Sequence, residues 1–300
     1  MYAVAFSLSS LEISGQPFRI AAEGVWPTVS LDQRLSYKIG SSGFQYELVR
    51  VDRTGQAVAT IGQPQEGMLF LSLSPDGNRV AIAALEDGTE AIWVHDVQRG
   101  SKRRLSFLEE GGRAPVWTAS GDQVAFFTRG PGGFEIWIRP TDGSSAAQKL
   151  TDGRRPYFSA DGRFLVFDRS LRETGDDLWY LEVGQEGDPK PFLVTEHNES
   201  RPRLSPDGRW VAYMSDDSGE TQVYVKKFPS GEGLWHISTG QGRAPFWSPD
   251  GDELFYLQGR DLMVGAGGDS FILSQPLRGE ATPPAITIVH NWFSEFRNRQ

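Results

Sequence analysis

Pro202-Arg-Leu-Ser-Pro-Asp-Gly-Arg-Trp-Val-Ala-Tyr213 carries the clearest structural signal in the chain. It reads as a short strand, a tight turn and a second strand of alternating character. Proline sets φ at the second turn position, aspartate hydrogen-bonds locally, and glycine takes the positive φ that closes the hairpin. The hairpin recurs along the chain. Ser-Pro-Asp-Gly stands at 74–77, 205–208 and 248–251, with close variants in Thr118-Ala-Ser-Gly121 and Ser159-Ala-Asp-Gly162. A sixth copy, Ser30-Leu-Asp-Gln33, keeps only the serine and the aspartate. The fourth turn positions are 33, 77, 121, 162, 208 and 251, so the steps are 44, 44, 41, 46 and 43 residues. A period of roughly 40–45 residues with four strands per unit is the spacing of a β-propeller.

Each unit repeats the same order. A short strand (Pro115-Val-Trp117, Pro245-Phe-Trp247) leads into the turn, and an alternating strand (Val80-Ala-Ile-Ala83, Val124-Ala-Phe-Phe127, Phe164-Leu-Val-Phe167) leaves it. A third strand carries an aromatic (Ile92-Trp-Val94, Ile136-Trp-Ile138, Leu178-Trp-Tyr180), and a more polar fourth ends at Arg104-Leu-Ser106, Lys149-Leu-Thr151 or His236-Ile-Ser238. One such sheet cannot bury both faces alone, whereas sheets set radially cover one another. The expectation is an all-β chain, a six-bladed β-propeller of four-stranded antiparallel blades forming a single domain over 1–300. The repeats fall at about 25–67, 68–111, 112–153, 154–197, 198–241 and 242–280, with closure strands at 1–24 and 281–293 and a tail at 294–300. Two closures compete. In one the N-terminal strands latch onto six blades; in the other the two termini build a composite seventh blade.

Lys and Arg number 30 against 39 Asp and Glu, for a net charge of −9. That balance excludes a general nucleic-acid binder, which needs excess cations to neutralise phosphates, and opposes an anionic membrane surface as target. There is no cysteine, so disulfides and thiolate metal sites are ruled out. Met1-Tyr-Ala-Val-Ala-Phe6 has no basic start and no sustained apolar run, so no signal peptide is expected, and no window reaches the apolar length of a membrane span. A soluble monomer without membrane insertion is expected.

The Ser-Pro-Asp-Gly hairpin, the aromatic third strand and the closing "Leu-Thr" or "Ile-Ser" resemble the WD40-like repeat of TolB-type propellers. Pro202 to Tyr213, taken with Val223-Tyr-Val-Lys-Lys-Phe-Pro229, further resembles the propellers fused C-terminally to bacterial serine/threonine protein kinases. The likeness covers about residues 25–265 and rests on turn and core positions. It implies protein or peptide partners at the cell envelope, hence the periplasm, whereas the chain as written would stay in the cytoplasm.

Reactive groups do not assemble into a known constellation. There is no G-x-G-x-x-G, His-Arg-Asp or Asp-Phe-Gly of a kinase and no G-x-S-x-G elbow of a propeller-linked hydrolase. His95, His197, His236 and His290 lie in different units without metal spacing, and read as surface or satisfied histidines. The strand starts carry Pro, Ala, Leu and Arg where a calcium site needs oxygen ligands. The pairs Asp216-Asp217 and Glu109-Glu110 read as solvated loop carboxylates. No catalytic residue, cofactor or metal is expected.

One cluster rises above this background. Arg113, Arg154, Arg155, Arg201 and Arg243 precede the first strand in four consecutive units, where the outer strand of one blade hands over to the innermost strand of the next. The loops after the second strands share that face and add Arg129, Arg169, Arg172 and Arg260. Such a rim is suited to grip an anionic group, a carboxylate or an acidic loop, through the planar fork of arginine. The competing reading pairs these arginines with Glu109, Glu110, Asp168 or Glu199 to tie blades together. The expected function is a non-catalytic protein- or peptide-binding scaffold with an acidic partner. The alternatives are a propeller hydrolase of sialidase- or peptidase-associated type, and a truncated remnant of a kinase-linked propeller.

Overall fold

The structure is a computed structural model. It describes residues 57–86, 88–107, 111–185, 187–238, 240–248, 250–251 and 253–257, together with the strand segments 2–7, 12–19, 25–29, 35–38, 45–52 and 270–276. In chain order the strands are β1 (Tyr2–Ser7), β2 (Glu12–Arg19), β3 (Val25–Val29), β4 (Leu35–Lys38), β5 (Gln45–Asp52), β6 (Ala57–Glu66), β7 (Leu69–Leu73) and β8 (Arg79–Glu86). They continue with β9 (Thr89–Asp96), β10 (Lys102–Arg104), β11 (Arg113–Trp117), β12 (Gln123–Gly130), β13 (Gly133–Pro140), β14 (Gln148–Asp152), β15 (Arg154–Phe158) and β16 (Phe164–Leu171). The last are β17 (Gly175–Glu182), β18 (Lys190–Leu193), β19 (Ser200–Leu204), β20 (Trp210–Ser215), β21 (Gln222–Lys227), β22 (Trp235–His236), β23 (Arg243–Trp247), β24 (Glu253–Leu257) and β25 (Ser270–Pro276).

These strands form six sheets. Strands β7–β10, β11–β14, β15–β18 and β19–β22 make four sheets, the second to fifth blades, each with its strands in chain order. The sixth is composite, in the order β2-β1-β24-β23. In it Tyr2 to Ala5 of β1 lie antiparallel to Glu253 to Tyr256 of β24. The first blade is five-stranded, β3-β4-β25-β5-β6, with β25 running antiparallel to β5. The innermost strands touch in a closed circuit, β3–β7–β11–β15–β19–β23 and back to β3. The chain is therefore a six-bladed all-β propeller, and among the described residues the termini build no seventh blade. The edge of β24 accepts β1 directly, so the N-terminal pair completes the sixth blade. The segment Ser270–Pro276 does not stay in that blade, as its place in the repeat suggested, but joins the first. The closure strand expected at 281–293 and the tail at 294–300 lie outside the described residues.

The two-residue period of a strand explains the packing between blades. In β8, Val80, Ile82 and Ala84 pack with Tyr46 and Leu48 of the first blade, whereas Ala81 and Ala83 face Val124 and Phe126 of the third. In β12, Val124 and Phe126 look back, and Ala125 and Phe127 look forward onto Leu165 and Phe167. Small residues thus meet large ones across each interface. Strands β8, β12 and β20 are buried on both faces along most of their length, so their blades need their neighbours. Tryptophans pin adjacent inner strands, with Trp117 Nε1 donating to the Ser72 carbonyl at 2.9 Å and Trp247 Nε1 to the Arg203 carbonyl at 3.0 Å.

The repeated turn has one geometry. At Ser205 the hydroxyl donates to Asp207 Oδ1 at 2.5 Å and accepts from the Trp210 amide at 3.0 Å. Gly208 N donates to the Ser205 carbonyl at 2.9 Å with φ +68°. Ser74 and Ser159 repeat the bonds with Asp76 and Asp161, and Thr118 replaces serine in the third blade, accepting from Gln123 N at 3.2 Å. The Ser159 hydroxyl is the main reason the Asp161 carboxyl sits below the usual range. Ser205 is fully buried. Ser205→Ala should therefore cost about 1–3 kcal/mol by leaving the Trp210 amide without its acceptor. Thermal unfolding should show a drop of several degrees, and an unchanged melting temperature would mean the turn does not depend on that hydroxyl.

Candidate functional site

The inner strands share a backbone irregularity that positions the site. Phe70, Ala114, Arg155, Arg201 and Ala244 are the second residues of β7, β11, β15, β19 and β23, and all are non-glycine residues with φ between 44° and 56°. Each strand has a register shift at this point, as between Arg154↔Asp168 and Tyr157↔Val166. The extra residue of a bulge swings the strand and resets its alternation. Left-handed φ costs an L-residue about 1 kcal/mol or more, so five copies mark a constraint that the surrounding sheets enforce. From the bulge onward, alternate residues face the axis.

The axial cavity shows the result. At the bulge end it has a volume of ≈ 90 Å³ and is lined by Arg155, Tyr157, Arg201 and Arg203 from two adjacent blades. Phe70, Ala114, Val116, Ala244 and Phe246 from three further blades also line it. A second chamber of ≈ 120 Å³ lies at the turn end and shares Ser72, Val116, Tyr157 and Trp247 with the first. Among the described residues its wall contains no charged side chain; Pro75, Ala119, Ala160 and Pro206 from the repeated turns close it. Among the described residues, therefore, the charged side chains lie at one end of the channel.

The structure divides the arginines expected at the rim. Arg155 and Arg201 enter the chamber. Arg154 is mostly buried, donates from Nε to Asp168 Oδ2 at 2.7 Å and also pairs with Asp176. Arg155 bonds the same Asp168 oxygen at 3.0 Å through Nη1. Arg113 is 53% exposed and pairs with Glu90 of the preceding blade. Arg243 is exposed at the equivalent place on β23. Arg129 and Arg172 are exposed near the β12–β13 and β16–β17 hairpins, on the same end of their sheets as the bulges. Arg169 is turned away, donating to the Asp152 carbonyl and Thr151 Oγ1 at 2.9 Å and lying over Trp179. Arg260, Glu109 and Glu110 lie outside the described residues. Asp168 is the only one of the four proposed carboxylate partners that pairs with these arginines among the described residues. Glu199 instead accepts from Thr195 Oγ1 at 2.8 Å and Ser215 Oγ at 3.3 Å.

Arg203 is the lining arginine that the sequence column did not single out. It stands two places after Arg201, and a strand's alternation puts both on one face; that periodicity was the signal available. Its guanidinium lies 4.8 Å from the Tyr157 ring centroid, and Nη1 donates to the Pro202 carbonyl at 2.9 Å. Burial lowers its pKa. Arg201 is pushed down to about 9, first by burial and then by its neighbours Arg155 and Arg203, so it remains a cation at neutral pH. Among the described residues, four guanidinium groups (Arg154, Arg155, Arg201, Arg203) meet two carboxylates (Asp168, Asp176). A local excess of positive charge is thus held inside a chain of net −9.

Three of the four histidines lie among the described residues. His95 is buried against Gln65 Oε1 at 3.0 Å and held neutral by burial, with its pKa down to about 4. His197 Nε2 lies 3.0 Å from Asp217, and His236 packs edge-on against Tyr224. His290 is outside the described residues. Among the described residues no group of three or more metal-ligating side chains comes together, and no helix is long and apolar enough to cross a membrane.

Glu199 is a carboxyl with a raised pKa. Only 2% of it is exposed, and burial raises its pKa to about 7 against weaker opposition from Thr195 and Ser215. Asp177, also buried, adds to the rise. A value near 7 suits a general acid, but a carboxyl this buried cannot reach a substrate. Its consequence is for stability. Between the ordinary carboxyl range near 4.5 and about 7 the folded state binds more protons than the unfolded one, so stability falls as pH rises through that window. Glu199→Gln should flatten the loss between pH 5 and pH 8, raising stability at pH 8 by about 1–3 kcal/mol. Parallel melting curves at both pH values would check it, and an equal slope in the variant would refute it.

No protein-family model matches the chain. It is 31% identical over 121 residues to the uncharacterized peptidase YuxL of Bacillus subtilis, a match covering 38% of this chain and 18% of that protein. It is 30% identical over 81 residues to the Tol-Pal system protein TolB of Alcanivorax borkumensis, covering 27% and 19%. The matched stretches thus span less than a fifth of either relative. In three dimensions it resembles a protein of Agrobacterium tumefaciens assigned provisionally to TolB, with a TM-score of 0.64 and 21% identity over 86% of this chain and 98% of that one. At that identity the likeness speaks for the fold alone, and there it agrees with the six sheets and their closed circuit. In fold, this chain is a TolB-like β-propeller.

Proposed function

We propose that the chain is a non-catalytic binding propeller that takes an anionic group of a protein or peptide partner into the arginine-bearing end of its channel. The observation that carries this reading is the convergence of Arg155, Arg201 and Arg203 on one axial chamber in an otherwise acidic protein. Guanidinium groups in a partly desolvated site bind carboxylates through short, paired hydrogen bonds. Exposed Arg113, Arg243, Arg129 and Arg172 on the same end would draw an acidic surface toward the mouth, since clefts of one sign concentrate counter-charged ligands. The likeness to a protein of the Tol-Pal system supports a partner-binding role. The narrower likeness to kinase-linked propellers, carried by residues 202–213 and 223–229, supports a sensing role of the same kind. In this reading the protein acts as a monomer, with the axis as its recognition element.

The test is a triple variant, Arg113→Gln, Arg201→Gln and Arg243→Gln, titrated with fluorescent acidic peptides at two salt concentrations. Binding should weaken at least tenfold while melting stays within a few degrees of the parent, and the parent's affinity should fall with salt. Lower melting with unchanged affinity would assign these arginines to blade cohesion and end the proposal.

A further inference from the structure

Two buried carboxyls stand where the fourth blade hands over to the fifth. Asp177, near the start of β17, is fully buried, and Glu199 ends the connection 194–199 that leads into β19. We infer that this pair is a proton-operated latch: a proton held by the two carboxyls keeps the connection docked on both blades, and its loss to solvent frees the connection. The latch does not depend on what the channel binds.

The two carboxyls meet at one residue. Glu199 Oε1 accepts from Thr195 Oγ1 at 2.8 Å and from Ser215 Oγ at 3.3 Å. The Thr195 main chain acts on the Asp177 carboxyl, whose Oδ2 accepts from the Thr174 hydroxyl. Each carboxyl keeps one buried oxygen, Asp177 Oδ1 and Glu199 Oε2, without a hydrogen-bond partner among the described residues. A proton on either oxygen supplies a donor and removes one of two mutually repelling charges. The neighbouring groups offer no substitute. On β17, Asp176 is taken by Arg154 and Arg155 and itself repels Asp177. In the connection, His197 faces Asp217 at 3.0 Å and opposes the rise of Glu199 less than the hydroxyls do. Next to β20, Asp216 is engaged by Asn198, while burial keeps the Tyr213 phenol neutral. Burial therefore prevails and raises both carboxyls, Glu199 to about 7.

The connection is the part that can give. Strand β17 is paired on both sides, with β16 and β18. Residues 194–199 lie in no strand and are tied down by bonds such as Glu199 N to the Asp176 carbonyl at 2.6 Å and Asn198 N to Asp216 Oδ1 at 2.8 Å. Letting Glu199 reach water relieves the second charge. The folded state keeps its extra proton up to about pH 7, so the latch is closed below neutrality and opens as pH rises past it. Arg201 follows two residues later with its amide on Asp168 Oδ1 at 3.3 Å, so opening reaches a strand that lines the chamber.

Hydrogen exchange read by mass spectrometry, expressed as protection relative to the unfolded chain at the same pH, tests the latch. Between about pH 6 and about pH 8.5, protection over 194–199 should fall roughly tenfold or more, while β16, β17 and β20 keep theirs. Glu199→Gln brings a donor and no charge, so its protection should stay level across that range. In the parent chain, carbon-13 shifts of both side-chain carboxyls should report a common step near neutrality. Shifts showing both groups already ionised at about pH 6 would overturn the latch, as would unchanged protection over 194–199. Protection lost equally in every blade would also overturn it, because the whole fold would then be weakening with no local opening. Exchange and carbon-13 titration of the parent chain decide the matter even if Glu199→Gln fails to fold.

Discussion

A four-stranded sheet buried on both faces is stable only between two others, and that requirement governs this molecule. It can be met for every blade only if the ring closes, and the main-chain pairing of β1 with β24 closes it. The N-terminal strands supply the outer half of a blade whose inner half is made some 240 residues later. Residues distant in sequence thereby share one hydrogen-bonded ladder. The axial channel, the alignment of the inner strands and the shared face of the hairpins all follow from this closure. Insertion of β25 between β4 and β5 ties a second late segment into the first blade. The two blades next to the seam are thus both built from early and late parts of the chain.

Within that ring the bulges do the positioning. A regular strand would set Arg154 and Tyr157 in a different phase relative to the axis. One extra residue in left-handed conformation restores the phase so that Arg155 and Tyr157, and likewise Arg201 and Arg203, look inward. Because all five described inner strands outside the first blade carry the same bulge, the scaffold is uniform and the chemistry comes from the side chains alone. Two neighbouring blades carry arginines at the inward positions where three others carry alanine, phenylalanine, serine or valine. The asymmetry of the channel is therefore a matter of sequence laid on a symmetric backbone.

Electrostatics splits the charged residues into two kinds. Arg154 and Asp168 are mostly structural: the buried carboxylate binds two guanidinium groups and accepts from the Arg201 amide at 3.3 Å, joining the fourth blade to the fifth. Removing one partner of such a buried pair typically costs several kcal/mol, although forming it yields little net stability. Arg201 and Arg203 are different, since both line the axial cavity. Glu199 and Asp177 form a third arrangement close by, in which burial favours the protonated acid. Structural pairing and cavity lining thus coexist within a few residues of the same strand ends.

The architecture is legible in local pattern: evenly spaced hairpins with strand alternation between them specify blades, because turn geometry and two-residue periodicity are local properties. Ser205, Asp207 and Gly208 could be read as a turn without any knowledge of the rest. The arginines before the inner strands were equally legible as a column. Which blade the terminal strands complete is a matter of long-range pairing, since strand edges of similar pattern compete and the folded chain selects among them. The folded chain also decides which arginines meet. Arg155 and Arg201 turn inward, Arg113 and Arg243 stay at the surface, and Arg203 joins the chamber, because a bulge changes the facing of every residue after it and burial gives each guanidinium its partner.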